Sequence, residues 1–148
     1  SDINDVLQVI SRYQAHAEVT LGLNYNEGLQ VCEVLNLATG GKDEDSLKSM
    51  ATDIRRKLGI STLVLHPVES AACATKEGVW WSEGPYCENP KITTGAGDHF
   101  NAGFCSSRLS GFSPLTSLAL ATCTSGHYVR TAQSPSSTQV IELLKSNL

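Results

Sequence analysis

Long apolar runs are missing from this chain, so no stretch reads as a membrane-spanning helix. The N-terminal residues, with Asp2 and Asp5, do not resemble a secretion signal. A basic excess is missing too, and the formal net charge of −4 argues against nucleic acid or an anionic membrane surface as the main partner. C-x-x-C pairs are absent. The five cysteines (Cys32, Cys73, Cys87, Cys105 and Cys123) are scattered and odd in number, which reads as reduced core thiols of a cytoplasmic protein rather than a disulfide frame or a zinc site. None has a base beside it in a recognisable motif, which speaks against a thiol nucleophile. Repeats, low-complexity tracts and interdomain linkers are not found. Two common phosphate loops fail on spacing. Gly95-x-Gly97 is followed at the third place by Phe100, not the Gly of a dinucleotide fingerprint, and Gly41-Lys42 is followed by Asp43, not the Ser or Thr of a P-loop.

The chain has 148 residues, 41% hydrophobic and 18% charged, which suits one domain with a sizeable core. Apolar spacing predicts helices over 3–13, 26–35, 44–58, 97–109, 114–128 and from Ser136 or Ser137 to Leu144. Thr39-Gly40-Gly41 is expected to break the second, Gly59 to stop the third and Gly111 to close the fourth. Ser113-Pro114 is a strong helix start, with Ser as N-cap and Pro in the first turn. Strands are predicted over 17–23 and 60–65, the latter β-branched-rich and apolar enough to be buried on both faces. Residues 71–75 and 79–82 read as a hairpin across Lys76-Glu77-Gly78, with Trp80 and Trp81 covering the core rather than stacking on a sugar. This order argues for an α/β three-layer fold on a largely parallel sheet.

The richest segment is Thr93-Thr94-Gly95-Ala96-Gly97-Asp98, running into His99-Phe100-Asn101-Ala102-Gly103-Phe104. Its small residues let the backbone turn sharply and bring N–H groups together at a helix start, where free donors and a partial positive charge suit a phosphate. Asp98 is then the odd residue, because a carboxylate repels the anion held beside it. It makes sense as the base that takes a proton from a hydroxyl attacking that phosphate. The whole reading leans on this carboxylate lying where backbone amides converge. Upstream, Asn24 and Glu27 stand just past a predicted strand, where open α/β sheets place ligands. Taken alone they also read as a turn Asn and a solvated acid in the first turn of a helix.

The run from Thr93 to Phe104 resembles the C-terminal signature of the ribokinase-like (PfkB) carbohydrate kinase family, and Asn24 with Glu27 looks like that family's N-x-x-E motif. The resemblance implies a three-layer ribokinase-like fold and an ATP-dependent phosphotransferase acting on a hydroxyl of a sugar or sugar-like molecule. It implies Asp98 as general base, Gly95, Ala96, Gly97 and Asp98 as an anion hole, and Asn24 and Glu27 steering Mg²⁺ through water beside the phosphates. Relatives carry Asp where this chain has Ile92, which cannot ligate a cation. That speaks against monovalent-cation activation, although Thr94 and the loop around Ala132 and Ser136 keep oxygens on offer. Where relatives have a Gly-rich turn near the nucleotide, this chain has His66-Pro67-Val68-Glu69-Ser70-Ala71, with Val68 and Ala71 in place of glycines. His66 reads as a phosphate contact or a structural turn residue, and His99 as a site-edge or surface residue.

Family members run to about twice this length, so the resemblance implies the nucleotide-side, C-terminal portion of a kinase, without the N-terminal sugar-gripping half and lid. A homodimer is left open through those parts. Ile92, Val68 and Ala71 also support a competing expectation, a non-catalytic binding or assembly module with a degraded nucleotide site.

Overall fold

The computed structural model describes residues 2–147. The chain divides into two units, one of residues up to Pro67 with Ala72–Trp81, the other of Val68–Ala71 with residues from Ser82 onward. In the first unit, α1 (Asp2–Tyr13), β1 (Thr20–Leu23), α2 (Tyr25–Leu35), α3 (Glu44–Leu58) and β2 (Thr62–Leu65) follow one another. The hairpin strands β3 (Ser70–Ala74) and β4 (Val79–Glu83) complete a sheet of order β1-β2-β3-β4, with Ser70–Ala71 and Ser82–Glu83 assigned to the second unit.

Pairing in that sheet is mixed. β1 and β2 run parallel, with Leu21 opposite Leu63 and Leu23 opposite Leu65. β2 and β3 run antiparallel, with Leu65 opposite Ala72. The largely parallel sheet expected from the sequence is therefore confined to β1 and β2 among the described strands. The physical reason is connection length. Only α2 and α3 supply a crossover long enough for parallel strands, whereas residues 66–69 and 75–78 permit nothing but reversal. Thr75 N–H donates to the Gly78 carbonyl at 2.9 Å and closes the predicted hairpin.

The first unit's core gathers Leu7, Val31, Leu47, Ile54, Leu63 and Leu65, with Trp81 packed against it as anticipated. Every residue of β2 is buried, matching the two-faced burial read from its composition. Caps account for the helix boundaries. Asp43 Oδ1 accepts from Ser46 N–H at 3.0 Å at the start of α3, and Gly59 ends it at φ 68°. α2 ends at Leu35 as its apolar spacing predicts, but its cap is Asn36 in the left-handed conformation, φ 53°, rather than the glycines further on.

The second unit holds α4 (Ala96–Leu109), α5 (Pro114–Thr131) and α6 (Ser137–Lys145), around buried Phe100, Phe104, Leu118, Ala121, Cys123 and Val140. Ser113 caps α5 with Pro114 in its first turn, and Ser136 rather than Ser137 caps α6 in a box with Gln139. α4 and α5 approach closely because Gly103 faces α5. A Cβ there would stand 2.7 Å from Thr124 Oγ1 and 3.0 Å from Ala121 Cα. No helix among the described residues is long and apolar enough to cross a membrane.

Gly103→Ala should therefore force these helices apart, costing about 1–3 kcal/mol as an overpacked core does. A thermal midpoint unchanged from the parent would show that the contact yields freely.

Candidate active site

In the second unit, the signature segment is a turn feeding a helix. Ala96 N–H donates to the Thr93 carbonyl at 3.1 Å, and Gly95 has φ 86° and ψ 0°. Those angles are the third position of a type II turn, where a residue with a Cβ is strained. A Cβ at 95 would also meet Tyr128 Oη at 3.2 Å. Gly95 then serves as N-cap of α4 without a side-chain cap, its carbonyl accepting from His99 N–H at 3.1 Å. Helix geometry leaves the Gly97 and Asp98 N–H groups without an intrahelical acceptor. Of the donors expected to form an anion hole, Ala96 is thus engaged in the turn itself, while Gly97 and Asp98 point out of the helix start.

Asp98 lies in the first turn of α4 and is exposed. Its own N–H and that of Gly97 belong to the first turn of the helix. It is not enclosed, however, and these residues alone do not supply the water-poor surroundings in which electrostatic catalysis is strongest.

The turn is held from beneath by groups without a local sequence signal. Tyr128 O–H donates to the Thr94 carbonyl at 3.1 Å, and Ser125 O–H donates to the Ala96 carbonyl at 3.0 Å. Ser125 and Tyr128 are three apart on α5 and so share a face. His99 Nδ1 is 2.8 Å from the Gly95 carbonyl oxygen, an atom that only accepts, so Nδ1 carries the proton. Its Nε2 meets Ser134 Oγ at 2.9 Å, and its ring stacks on Tyr128 with centroids 3.6 Å apart. His99 is thus tied into the turn rather than being a free surface residue. The Gly95–His99 spacing of four was the one clue in the sequence. Tyr128 and Ser134 are too distant in the chain to have given any.

In the first unit, Asn24 and Glu27 form a reciprocal capping box at the start of α2. Asn24 Oδ1 accepts from Glu27 N–H at 2.9 Å, and Glu27 Oε2 accepts from Asn24 N–H at 2.8 Å. The structural reading of this pair therefore holds, and it engages one oxygen of each side chain. Asn24 Nδ2 and Glu27 Oε1 remain on exposed side chains. Among the described residues no three of His, Cys, Asp or Glu converge to hold a metal directly. An exposed carboxylate oxygen does fit a water of a hydrated magnesium ion, which keeps much of its own shell. Beside this box runs an apolar groove of about 300 Å³ bordered by Leu7, Ile10, Leu21, Leu23 and Val31, chemistry unsuited to phosphate or sugar.

His66, at the end of β2, is half-buried. Burial pushes its pKa below the ordinary value of 6.5, and the nearby Glu27 carboxylate partly opposes this. Ala71 does not sit in a turn at all. It is a buried residue of β3, leaving only residues 66–69 as the loop. Its Cβ therefore blocks no backbone approach there, and one support for a degraded nucleotide turn falls away. Val68 remains an exposed loop residue. Of the five thiols read as core, Cys32, Cys73 and Cys123 are buried, and burial pushes Cys123 up to about 11, far from a nucleophilic thiolate, whereas Cys87 is half-buried and Cys105 is exposed.

The family model of prokaryotic ketohexokinase matches residues 2–147. The chain belongs to that family. It is 33% identical over 78 residues to a ketohexokinase of Haloferax volcanii, a match spanning 53% of this chain and 21% of that protein. Among solved structures it resembles Escherichia coli phosphofructokinase-2 in complex with substrates and products, with TM-score 0.73, 13% identity, 95% of this chain and 45% of that one. Arabidopsis thaliana ribokinase complexed with ribose and ATP gives TM-score 0.69 and 20% identity, over 85% of this chain and 40% of that one. The fold is accordingly ribokinase-like. The chain spans less than half the length of these relatives.

Two outcomes follow from this geometry. Gly95→Ala should strain the turn and press on Tyr128, lowering the thermal midpoint more than Gly111→Ala, where nothing lies within 4 Å of the added Cβ. For His66 the folded state binds its proton less readily than the unfolded chain does. Its contribution to stability is whole above pH 6.5 and is lost as pH falls below it. The urea midpoint should drop between pH 7.5 and 5.5, and less so in His66→Gln; equal drops would exclude His66 as the cause.

Proposed function

We propose that this chain is the nucleotide- and phosphate-side part of an ATP-dependent carbohydrate kinase, with a ketohexose as the acceptor class its family suggests. The reading is carried by one observation: in a member of the ketohexokinase family, a glycine turn delivers the Gly97 and Asp98 N–H groups and the Asp98 carboxylate to one helix start. The turn residues Gly95 and Ala96 shape this anion hole, and Gly97 and Asp98 supply its outward donors. In transfer, the sugar hydroxyl loses its proton to Asp98 as its oxygen bonds to the γ-phosphorus. The bond from that phosphorus to the bridging oxygen breaks, releasing ADP. The outward N–H groups stabilise charge on the phosphoryl oxygens in flight.

Magnesium, when bound, neutralises charge on the phosphates. Glu27 would hold a water of its shell through the oxygen left over from the capping box, and Asn24 Nδ2 would donate to phosphate or water without adding charge. The exposure of Asp98 is compatible with this role, because a base that meets a diffusing sugar must be reachable before the site closes around it.

In the active protein, Asp98→Asn is expected to lower transfer from ATP to fructose by roughly 10²- to 10⁴-fold, the usual contribution of a positioned base. Mg·ATP binding, followed by calorimetry, should survive the change. A variant retaining most of its turnover overturns the base assignment.

A further inference from the structure

Lys42 is a cation that the elements around it leave without an anion. The acids that follow it are committed elsewhere: Asp43 Oδ1 accepts from Ser46 N–H at 3.0 Å as the cap of α3, and Glu44 pairs with Lys48. No ion pair engages Lys42 among the described residues. Its ammonium instead lies 5.2 Å from the centroid of the Tyr25 ring. An aromatic face attracts an ammonium but leaves its charge uncancelled, so the side chain is held in place and can still meet an anion. The loop that carries it is fixed as well. The Gly40 carbonyl accepts from Tyr25 O–H at 2.7 Å, and Gly40 N–H reaches Met50 Sδ at 3.3 Å. Bare glycines permit this, because a Cβ at 40 would stand 2.8 Å from Ser46 Cβ and one at 41 would stand 2.8 Å from Asp43 Oδ2.

Chain direction puts this cation on one rim of the first unit. β1 and β2 are parallel, and His66 N–H donates to the Leu23 carbonyl at 2.9 Å, so their C-terminal ends lie side by side. α2 starts at that end, just after Asn24, and runs 11 residues away from it. The loop beyond α2 then returns, since Gly40 and Lys42 are both back against Tyr25. Lys42 thus joins Asn24 and Glu27 outside the C-terminal ends of parallel strands, where open α/β sheets take their ligands. Glu27, Asp43 and Glu44 make this rim acidic, which by itself would repel a polyphosphate. We propose that Lys42 binds the phosphate chain of the magnesium nucleotide, its ammonium donating to phosphate oxygens beside the Asn24–Glu27 box; this rests on the nucleotide-side reading above. The Tyr25 ring presents the ammonium and holds it off the neighbouring carboxylates.

The test is calorimetry of the 148-residue chain with Mg·ATP and with magnesium tripolyphosphate, each at low and high salt. Lys42→Gln should weaken both ligands about fivefold at low salt, the weight of one exposed ion pair. It should also flatten the loss of affinity that added salt causes in the parent, because a screened contact has been removed. Lys42→Arg keeps the charge and should recover most of the affinity. Lys42 is exposed, so neither change disturbs the core. A merely structural role would lower the thermal midpoint and leave affinity and salt dependence as in the parent. Parent-like affinity in Lys42→Gln therefore overturns the assignment and leaves the nucleotide-side reading standing. A loss confined to Mg·ATP also overturns it, since the contact is then not to phosphate. A parent chain that binds neither ligand overturns both.

Discussion

One backbone conformation organises the second unit's signature turn. Gly95 sits at φ 86°, a region that side-chain-bearing residues adopt only under strain, and Tyr128 Oη lies 3.2 Å from where its Cβ would be. Because that position is bare, Tyr128 closes on the turn, donates to Thr94 and offers its ring to His99. The turn, the start of α4 and the inner face of α5 therefore depend on one another. Gly103 continues the same logic two turns along, where the absence of a side chain sets the distance between α4 and α5.

In the first unit, a local motif serves structure and leaves room for chemistry. The capping box of Asn24 and Glu27 satisfies donors that would otherwise be orphaned at the start of α2. It uses only one oxygen from each side chain. The remaining amide and carboxylate oxygen stay exposed, so a structural cap and an outer-shell role toward hydrated magnesium are compatible. His66, by contrast, has been drawn out of solvent far enough for its proton to be held less tightly.

Much of this was legible in the residue order. The α3 stripe of Leu47, Met50, Ala51, Ile54 and Leu58 is the buried stripe of the helix. The Ser113-Pro114 start and the Gly59 stop act as their chemistry requires. Other features were not legible, each for its own reason. Asn36 ends α2 because asparagine tolerates the left-handed region, although the glycines four residues on looked like the stronger signal. Ala71 carried two readings, a replaced turn glycine and the first residue of the hairpin strand, and strand pairing opposite β2 keeps the second. The engagement of Ala96 N–H by Thr93 follows from how tightly the turn closes, which no spacing reveals.

The order of residues by itself determined most of the elements and their caps, because these depend on neighbours within a few positions. Only the tertiary structure decided the exposure of Asp98 and the clasp of His99, Tyr128 and Ser134 on the turn. Those depend on contacts between residues some thirty positions apart or on how much chain covers a side chain. Distance and coverage are properties of packing, and a one-dimensional pattern does not contain them.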